Sequence, residues 1–151
     1  MTQLITKIGV GIIALLVGIQ FIPSKLNQSD EVVVTDITNV HKTPAKIVSK
    51  LQTSCYDCHS NNTIYPWYSK IQPIRLLMDK HVSDAKKDLN FSEFGTYSKR
   101  KQKNKLRSIL SEIEKNKMPL SSYTIMHKNA KLSALEKKDL TEWLKQIIKT
   151  Y

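Results

Sequence analysis

The first strong pattern in the chain is an apolar run close to the N-terminus. Between Leu4 and Ile22 the only charged side chain is Lys7. A helix that crosses a bilayer needs about twenty mainly apolar residues, and this run approaches that length. The residues from Phe21 to Lys25 lack the small-x-small pattern of a signal-peptidase site. We therefore expect an uncleaved signal anchor over residues 1–23, with a cleaved signal peptide and a buried core helix as the alternatives.

The pattern changes to polar after the apolar run and to helical spacing after residue 43. Residues 24–42 are mainly polar and are predicted to form an extended tether. Residues 43–151 then form one domain, in which apolar positions recur every three or four residues. The four groups that show this spacing are Ile47, Val48 and Leu51; Ile74, Leu77, Met78, His81 and Val82; Leu106, Ile109, Leu110 and Ile113; and Leu140, Trp143, Leu144, Ile147 and Ile148.

Helix-end residues support these four helices. Thr43-Pro44 precedes the first group, and proline is favoured at the start of a helix. Asn116 follows the third group and suits a left-handed C-terminal cap. Ser133 and Glu136 have the spacing of a capping box before the fourth. Since no segment after residue 43 alternates with period two, we predict an all-α domain.

Composition limits the classes of function. The 151 residues include 24 lysines and arginines against 13 acidic residues, a formal net charge of +11. All but three of the basic residues are lysines, which lack the planar fork that reads guanine edges, so we expect no nucleic acid partner. Two cysteines are too few for a disulfide scaffold.

The chemistry of the chain is concentrated in residues 55–59, Cys-Tyr-Asp-Cys-His. This is the C-x-x-C-H pattern of covalent c-type haem attachment. Two thiols one helical turn apart can each add to a haem vinyl group, and the following histidine can bind the iron. The pattern predicts one covalent haem c held by Cys55 and Cys58, with His59 as the proximal iron ligand.

Three other interpretations of the two cysteines remain open. A thioredoxin-like dithiol would use Cys55 and Cys58 without haem, although no βαβ pattern surrounds them. A zinc site would combine them with His59 and either His81 or His127. A structural disulfide would leave His59 without a chemical role.

A haem iron also has a second axial position, and three side chains are candidates for it. Met118 precedes a proline in a loop between two predicted helices, which would present its thioether from a stiff backbone, so it is the preferred distal ligand. His81 and His127 are the alternatives. An open sixth position would instead favour a haem sensor or peroxidase-like chemistry.

Aromatic and basic residues complete the predicted site. Tyr65 and Trp67 follow the motif closely and are candidates to wall the haem edge, and we expect Trp67 to be buried. A carbonyl near Pro66 or Pro73 is expected to accept the Nδ1 proton of His59. The basic run from Lys99 to Lys105 is predicted to be a solvated helix start, with a docking patch for an acidic partner as the alternative.

These residues together resemble the small bacterial haem-binding domain family and, more loosely, class I cytochromes c. The residues that carry the resemblance are 55–63, 65–69, Pro73, His81, 89–92, 118–120, Tyr123, His127, 132–133 and Trp143, together with 20–23 at the end of the anchor. The resemblance implies a cytochrome c-like helical domain around one haem, an iron ligand pair of His59 and Met118, and electron transfer.

The expected protein is thus a monohaem c-type cytochrome that carries electrons and is not an enzyme. It would be anchored in the bacterial inner membrane by its N-terminal helix, with the haem domain in the periplasm, where haem is attached. Its partners would be redox proteins with an acidic docking face. A haem sensor or peroxidase-like enzyme, and a tethered thiol oxidoreductase, are the alternative functions.

Overall fold

The computed structural model describes residues 2–29 and 33–151. Met1 in the predicted anchor and residues 30–32 in the predicted tether lie outside the described residues. Within the described ranges the chain forms eight α-helices and four short 3-10 helices, and no strand. The predicted all-α class is confirmed.

The helices follow the chain in a simple order. The α-helices are α1 (Thr2–Gly18), α2 (Ile37–Val40), α3 (Ala45–Ser54), α4 (Tyr56–His59), α5 (Ile74–Asp88), α6 (Lys99–Glu114), α7 (Ser121–Met126) and α8 (Ala134–Ile148). The 3-10 helices are Ile19–Phe21, Trp67–Lys70, Phe91–Thr96 and Lys128–Ala130.

The N-terminal helix is exposed along most of its length in the part of the chain that the structure describes. Together with the 3-10 turn that follows, it runs from Thr2 to Phe21, and none of its most apolar window is buried in the protein. It is long and apolar enough to cross a membrane, a property shared by membrane anchors and signal sequences.

The hydrophobic core lies where α3, α6 and α8 meet. Leu51, Leu106, Leu140 and Leu144 are each at most 1% exposed, and Trp143 belongs to the same cluster. The predicted helix ends are present: Ser133 and Glu136 form the capping box, and Asn116 has a positive φ of 56°. The first of these helices begins at Ala45, one residue later than predicted, with Pro44 preceding it.

The predicted extended tether is helical at its C-terminal end. Ile37 in α2 is fully buried and joins the core cluster. The amide of Gly95 donates to the carbonyl of Thr35 over 2.7 Å. A β-carbon at Gly95 would meet Thr35 backbone atoms at 3.1 Å, so glycine allows this close approach. One buried side chain among polar neighbours was too weak a pattern to predict this helix.

A second layer, made of α4, α5, α7 and the two 3-10 helices Trp67–Lys70 and Phe91–Thr96, covers one side of this core. Helix α4 contacts α3, α5 and the 3-10 helix Phe91–Thr96. Phe91 is buried against this helix, where its ring stacks on Tyr56, and Phe94 in the same 3-10 helix is fully buried. This layer carries the cysteines and most of the candidate site residues.

Candidate functional site

The Cys-Tyr-Asp-Cys-His motif forms a single helical turn. Cys55 ends α3 and caps α4, and its carbonyl accepts the amides of Cys58 at 3.2 Å and His59 at 3.0 Å. This turn places both cysteines and the histidine on one short element. Each side chain of the three is partly buried.

The orientation of His59 is set by a backbone carbonyl. Its Nδ1 lies 3.1 Å from the carbonyl oxygen of Leu89, and since a carbonyl only accepts, Nδ1 carries the proton. The Nε2 lone pair is then available to a metal ion. The prediction that a carbonyl near Pro66 or Pro73 would do this was wrong, because the end of α5 brings Leu89 against the motif.

One cavity lies on the Cys55 side of the motif. Its walls are mainly apolar, and they bring His59 and Met118 to the same space. The hydroxyl of Ser54 also lines it, and this buried Oγ has no hydrogen-bond partner among the described residues. Its apolar walls include Leu89, Phe91, Ile109, Ile113 and Leu132.

A second apolar cavity lies on the Cys58 side. Helix α5 contributes Leu77, Met78 and His81, and α7 contributes Tyr123 and Met126. The two cavities share no lining residue, but two segments of the chain contribute to both. The motif separates Cys55 from Cys58, and the loop after α6 places Met118 in the first cavity and Leu120 in the second.

Both thiols are held in their protonated form. Burial, with a smaller effect from neighbouring Cys58, raises the pKa of Cys55 to about 12. Burial and then the charge of Asp57 raise the pKa of Cys58 to about 11. Reactive dithiols have a lowered pKa. The electrostatics therefore disfavour the haem-free thiol oxidoreductase.

The two middle residues of the motif are bound to distant segments. Tyr56 donates its hydroxyl hydrogen to Asp36 over 2.6 Å. Asp57 accepts hydrogen bonds from the Tyr123 hydroxyl at 2.5 Å and from the Ile64 amide at 2.9 Å. Burial and the carboxylate of Asp57 both raise the pKa of Tyr123. These contacts hold α4 in place on both sides.

The alternative histidines both lie at the second cavity. His81 is exposed on α5, on the apolar face where the spacing predicted it. His127 has its Nε2 2.7 Å from the Tyr68 hydroxyl, and its ring stacks on Tyr123 with centroids 4.2 Å apart. A metal that used the Nε2 atom of His127 would therefore have to displace the contact with Tyr68.

Tyr65 and Trp67 are not among the described residues that line the two cavities; Pro66 and Tyr68 line the second one instead. The Tyr65 hydroxyl accepts the Asn27 amide over 2.8 Å. The prediction that Trp67 is buried was wrong, since its side chain is 74% exposed. Its neighbours Tyr68 and Ser69 take the inward positions of that 3-10 helix.

The same geometry bears on the zinc site and on the structural disulfide. Among residues 2–29 and 33–151, no three His, Cys, Asp or Glu side chains come together as a metal site. The alternative zinc set of Cys55, Cys58, His59 and His81 or His127 is therefore not assembled in the described part of the chain. The cysteines are free thiols in the described structure.

Sequence reasoning missed Leu89, Asp57 and the contact between Asp57 and Tyr123. A carbonyl has no residue signature, and Asp57 stood in a position that the motif leaves variable. Nothing local could connect it to a tyrosine 66 residues away.

Comparison with known proteins gives one match. A protein-family model described as a haem-binding domain matches residues 14–146. No curated protein and no solved structure matches the chain.

Proposed function

This chain belongs to the haem-binding domain family, and from that premise we propose that it is a monohaem c-type cytochrome that transfers electrons. Cys55 and Cys58 would hold one haem covalently. His59 would bind the iron on the proximal side and Met118 on the distal side. The proposal needs no substrate chemistry.

The observation that carries the proposal is the hydrogen bond between His59 and Leu89. Nδ1 donates its proton to the Leu89 carbonyl, so the Nε2 lone pair stays free at the wall of an apolar cavity that Met118 also lines. An imidazole whose second nitrogen is bound to a carbonyl is the usual form of an oriented metal ligand. Two protonated thiols that can add to haem vinyl groups, with one imidazole and one thioether for the iron, fit haem c better than zinc.

The protein's own residues supply binding, orientation and exclusion of water. When bound, haem supplies an iron that accepts and releases one electron. Leu89 fixes the His59 ring, while Phe91, 5.9 Å from that ring, and Ile109 keep the first cavity apolar. Low polarity and a thioether ligand both favour the reduced iron, so these residues would raise the reduction potential.

The location is proposed from the N-terminal helix and from the chemistry. With α1 as a single-pass anchor in a bacterial inner membrane, the haem domain would lie in the periplasm, where c-type haem is attached. The net charge of +11 supports redox partners with an acidic docking face. Lys105 lines the first cavity and pairs with Asp88 at 2.7 Å, so it is a lysine that such a partner could contact near the haem.

The direct test is a denaturing gel of membranes from cells with an active haem c maturation system, stained for haem peroxidase activity. A stained band at the size of this chain is expected, because only covalent haem survives denaturation. Intact protein in the membrane fraction with no stain would contradict the cytochrome proposal. Thiol titration of that protein would then test the oxidoreductase alternative.

A further inference from the structure

The chain that leaves the N-terminal helix is tied to the second layer of the domain by a pair of glutamines. The Gln72 amide donates to Gln20 Oε1 over 3.0 Å, and Gln20 Nε2 donates to the Gln72 carbonyl over 3.3 Å. Gln20 lies in the last turn of the apolar helix Thr2–Phe21. Gln72 is therefore held at the level where this helix ends.

A second set of contacts lies a few residues further along. The Asn27 amide donates to the Tyr65 hydroxyl over 2.8 Å, and Arg75 donates to the Lys25 carbonyl over 2.9 Å. Residues on both sides of segment 66–71 are thus bound to the chain as it leaves the helix. The segment cannot swing away without breaking these hydrogen bonds.

Segment 66–71 has an inward and an outward side. Ser69 is buried and donates to the Pro66 carbonyl, and Tyr68 contacts His127. Trp67 and Ile71 face out and are 74% and 44% exposed. Lys70 is exposed beside them.

The end of the apolar helix extends the same exposed apolar surface. Phe21 is 82% exposed and Ile22 is 40% exposed, and both directly follow the glutamine that binds Gln72. The other tryptophan of the chain, Trp143, is only 7% exposed in the core. Of the two tryptophans, the exposed one is thus the one that lies beside the N-terminal helix.

The length of the helix sets the depth of this surface. Twenty residues at 1.5 Å each span about 30 Å, close to the thickness of the hydrocarbon layer. Gln20 then lies at the boundary between lipid and water. Tryptophan is enriched at that boundary, and lysine beside it can reach lipid phosphates.

We propose that segment 66–71 is a second membrane contact, with Trp67 and Ile71 inserted at the lipid–water boundary beside the anchor. The inference rests on the proposed function, since it needs α1 to span the bilayer. The occupant of this surface is the phospholipid interface, and continuity with the spanning helix is the reason for choosing it over a protein. The contact would hold the haem domain in one orientation against the membrane.

The test is photocrosslinking of the full chain in bacterial membranes. Benzoylphenylalanine is placed at Trp67, at Leu15 within the apolar helix, or at Leu135, which is 62% exposed at the start of α8. Each variant is irradiated, stained for haem on a denaturing gel and analysed by mass spectrometry for phospholipid adducts. Phospholipid adducts are expected at positions 15 and 67, and none is expected at position 135. Gln20→Ala should reduce the adduct at 67 and leave that at 15.

The outcomes separate this inference from the proposed function. Haem stain with lipid adducts at 15 but none at 67 would overturn the membrane contact alone. An adduct to a polypeptide at 67, or equal lipid adducts at 67 and 135, would also overturn it. The absence of a lipid adduct at 15 would contradict the membrane anchor, and with it both the second membrane contact and the proposed location.

Discussion

Helices α5 and α8 have the same length and a similar amphipathic pattern, but they bury their apolar faces very differently. Each has fifteen residues. Helix α8 buries Leu140, Trp143, Leu144 and Ile147. Helix α5 buries Val82 as its single apolar residue, and Leu77 on the same face is 57% exposed.

The difference shows that apolar spacing predicts a covered face but not what covers it. The face of α8 is covered by α3 and α6. The face of α5 borders the second cavity, on the Cys58 side of the motif. A large apolar group attached to the two thiols would cover it. On the proposed function, α5 completes its packing against haem and α8 completes its packing against protein.

The largest effect is expected from removing both thiols. In Cys55→Ala/Cys58→Ala, the covalent haem should be lost completely, because no thioether can form. The haem-stained band should disappear from membranes that still contain the protein. Leu135→Ala, an exposed position on α8, should keep the band at normal intensity. A stained band in the double variant would contradict the proposed attachment.

Met118→Ala should have the next largest effect and should act on the haem alone. Losing a thioether ligand should lower the reduction potential by a sizeable part of the roughly 0.8 V that axial ligands span. The absorption spectrum should change to a high-spin form. Met126→Ala, at the second cavity, is the matched control and should keep the low-spin spectrum. An unchanged spectrum in Met118→Ala would point to His81, His127 or an open sixth position.

A pair of leucine variants compares the two helices directly. Leu144→Ala should lower the free energy of unfolding by about 2–5 kcal/mol, because Leu144 is 1% exposed in a protein core. Its haem spectrum should not change. Leu77→Ala should cost less stability and shift the haem spectrum. Denaturant unfolding and absorption of the haem-loaded chain in detergent measure both quantities. Equal stability losses without a spectral shift would contradict the assignment of the α5 face.

The smallest effect concerns how the two helices begin. Helix α8 has a capping box, whereas α5 follows Pro73 without a side-chain cap. The hydrogen bond from Lys50, followed by those from Ser133, lowers the pKa of Glu136 from 4.5 to about 2. Because the pKa of Glu136 is lower in the folded state, its carboxylate stabilises the fold at pH values above the ordinary pKa of 4.5. This stabilisation is lost as the pH falls from about 5 through the folded-state pKa of about 2.

Glu136→Gln should therefore destabilise the domain at pH 7 and much less at pH 2. The loss should be about 1 kcal/mol or less, since the carboxylate is partly exposed. Unfolding free energies at the two pH values test this. Glu142→Gln, 3.9 Å from Lys138 on the same helix, is the control and should show a smaller difference. Parallel curves for Glu136→Gln and the unchanged chain would contradict the prediction.

Much of the fold could be predicted because its signals are local. The capping box at Ser133, the left-handed Asn116 and the apolar spacing of α5, α6 and α8 all involve residues within one or two turns. The C-x-x-C-H motif is equally local. The family match confirms the haem-binding class that the motif indicated.

The rest depended on contacts between distant segments. The Leu89 carbonyl reaches His59 across 30 residues, and Gln20 meets Gln72 across 52. The exposure of Trp67 follows from which side of a 3-10 turn faces the domain, and an aromatic run does not determine this. Burial of Ile37 likewise depends on the segment before α3 folding back onto the core, which its polar sequence does not indicate.

The hydrogen bonds of Tyr56 and Asp57 bear on the order of events during biogenesis. These residues bind partners 20 and 66 residues away, so the motif is locked only after segments on both sides of it have folded. In that locked state both thiols are partly buried and protonated. A maturation enzyme would therefore have to act on the motif while the chain is still open. On the proposed function, the hydrogen bonds of Tyr56 and Asp57 would form after haem attachment and would fix the motif around the bound cofactor.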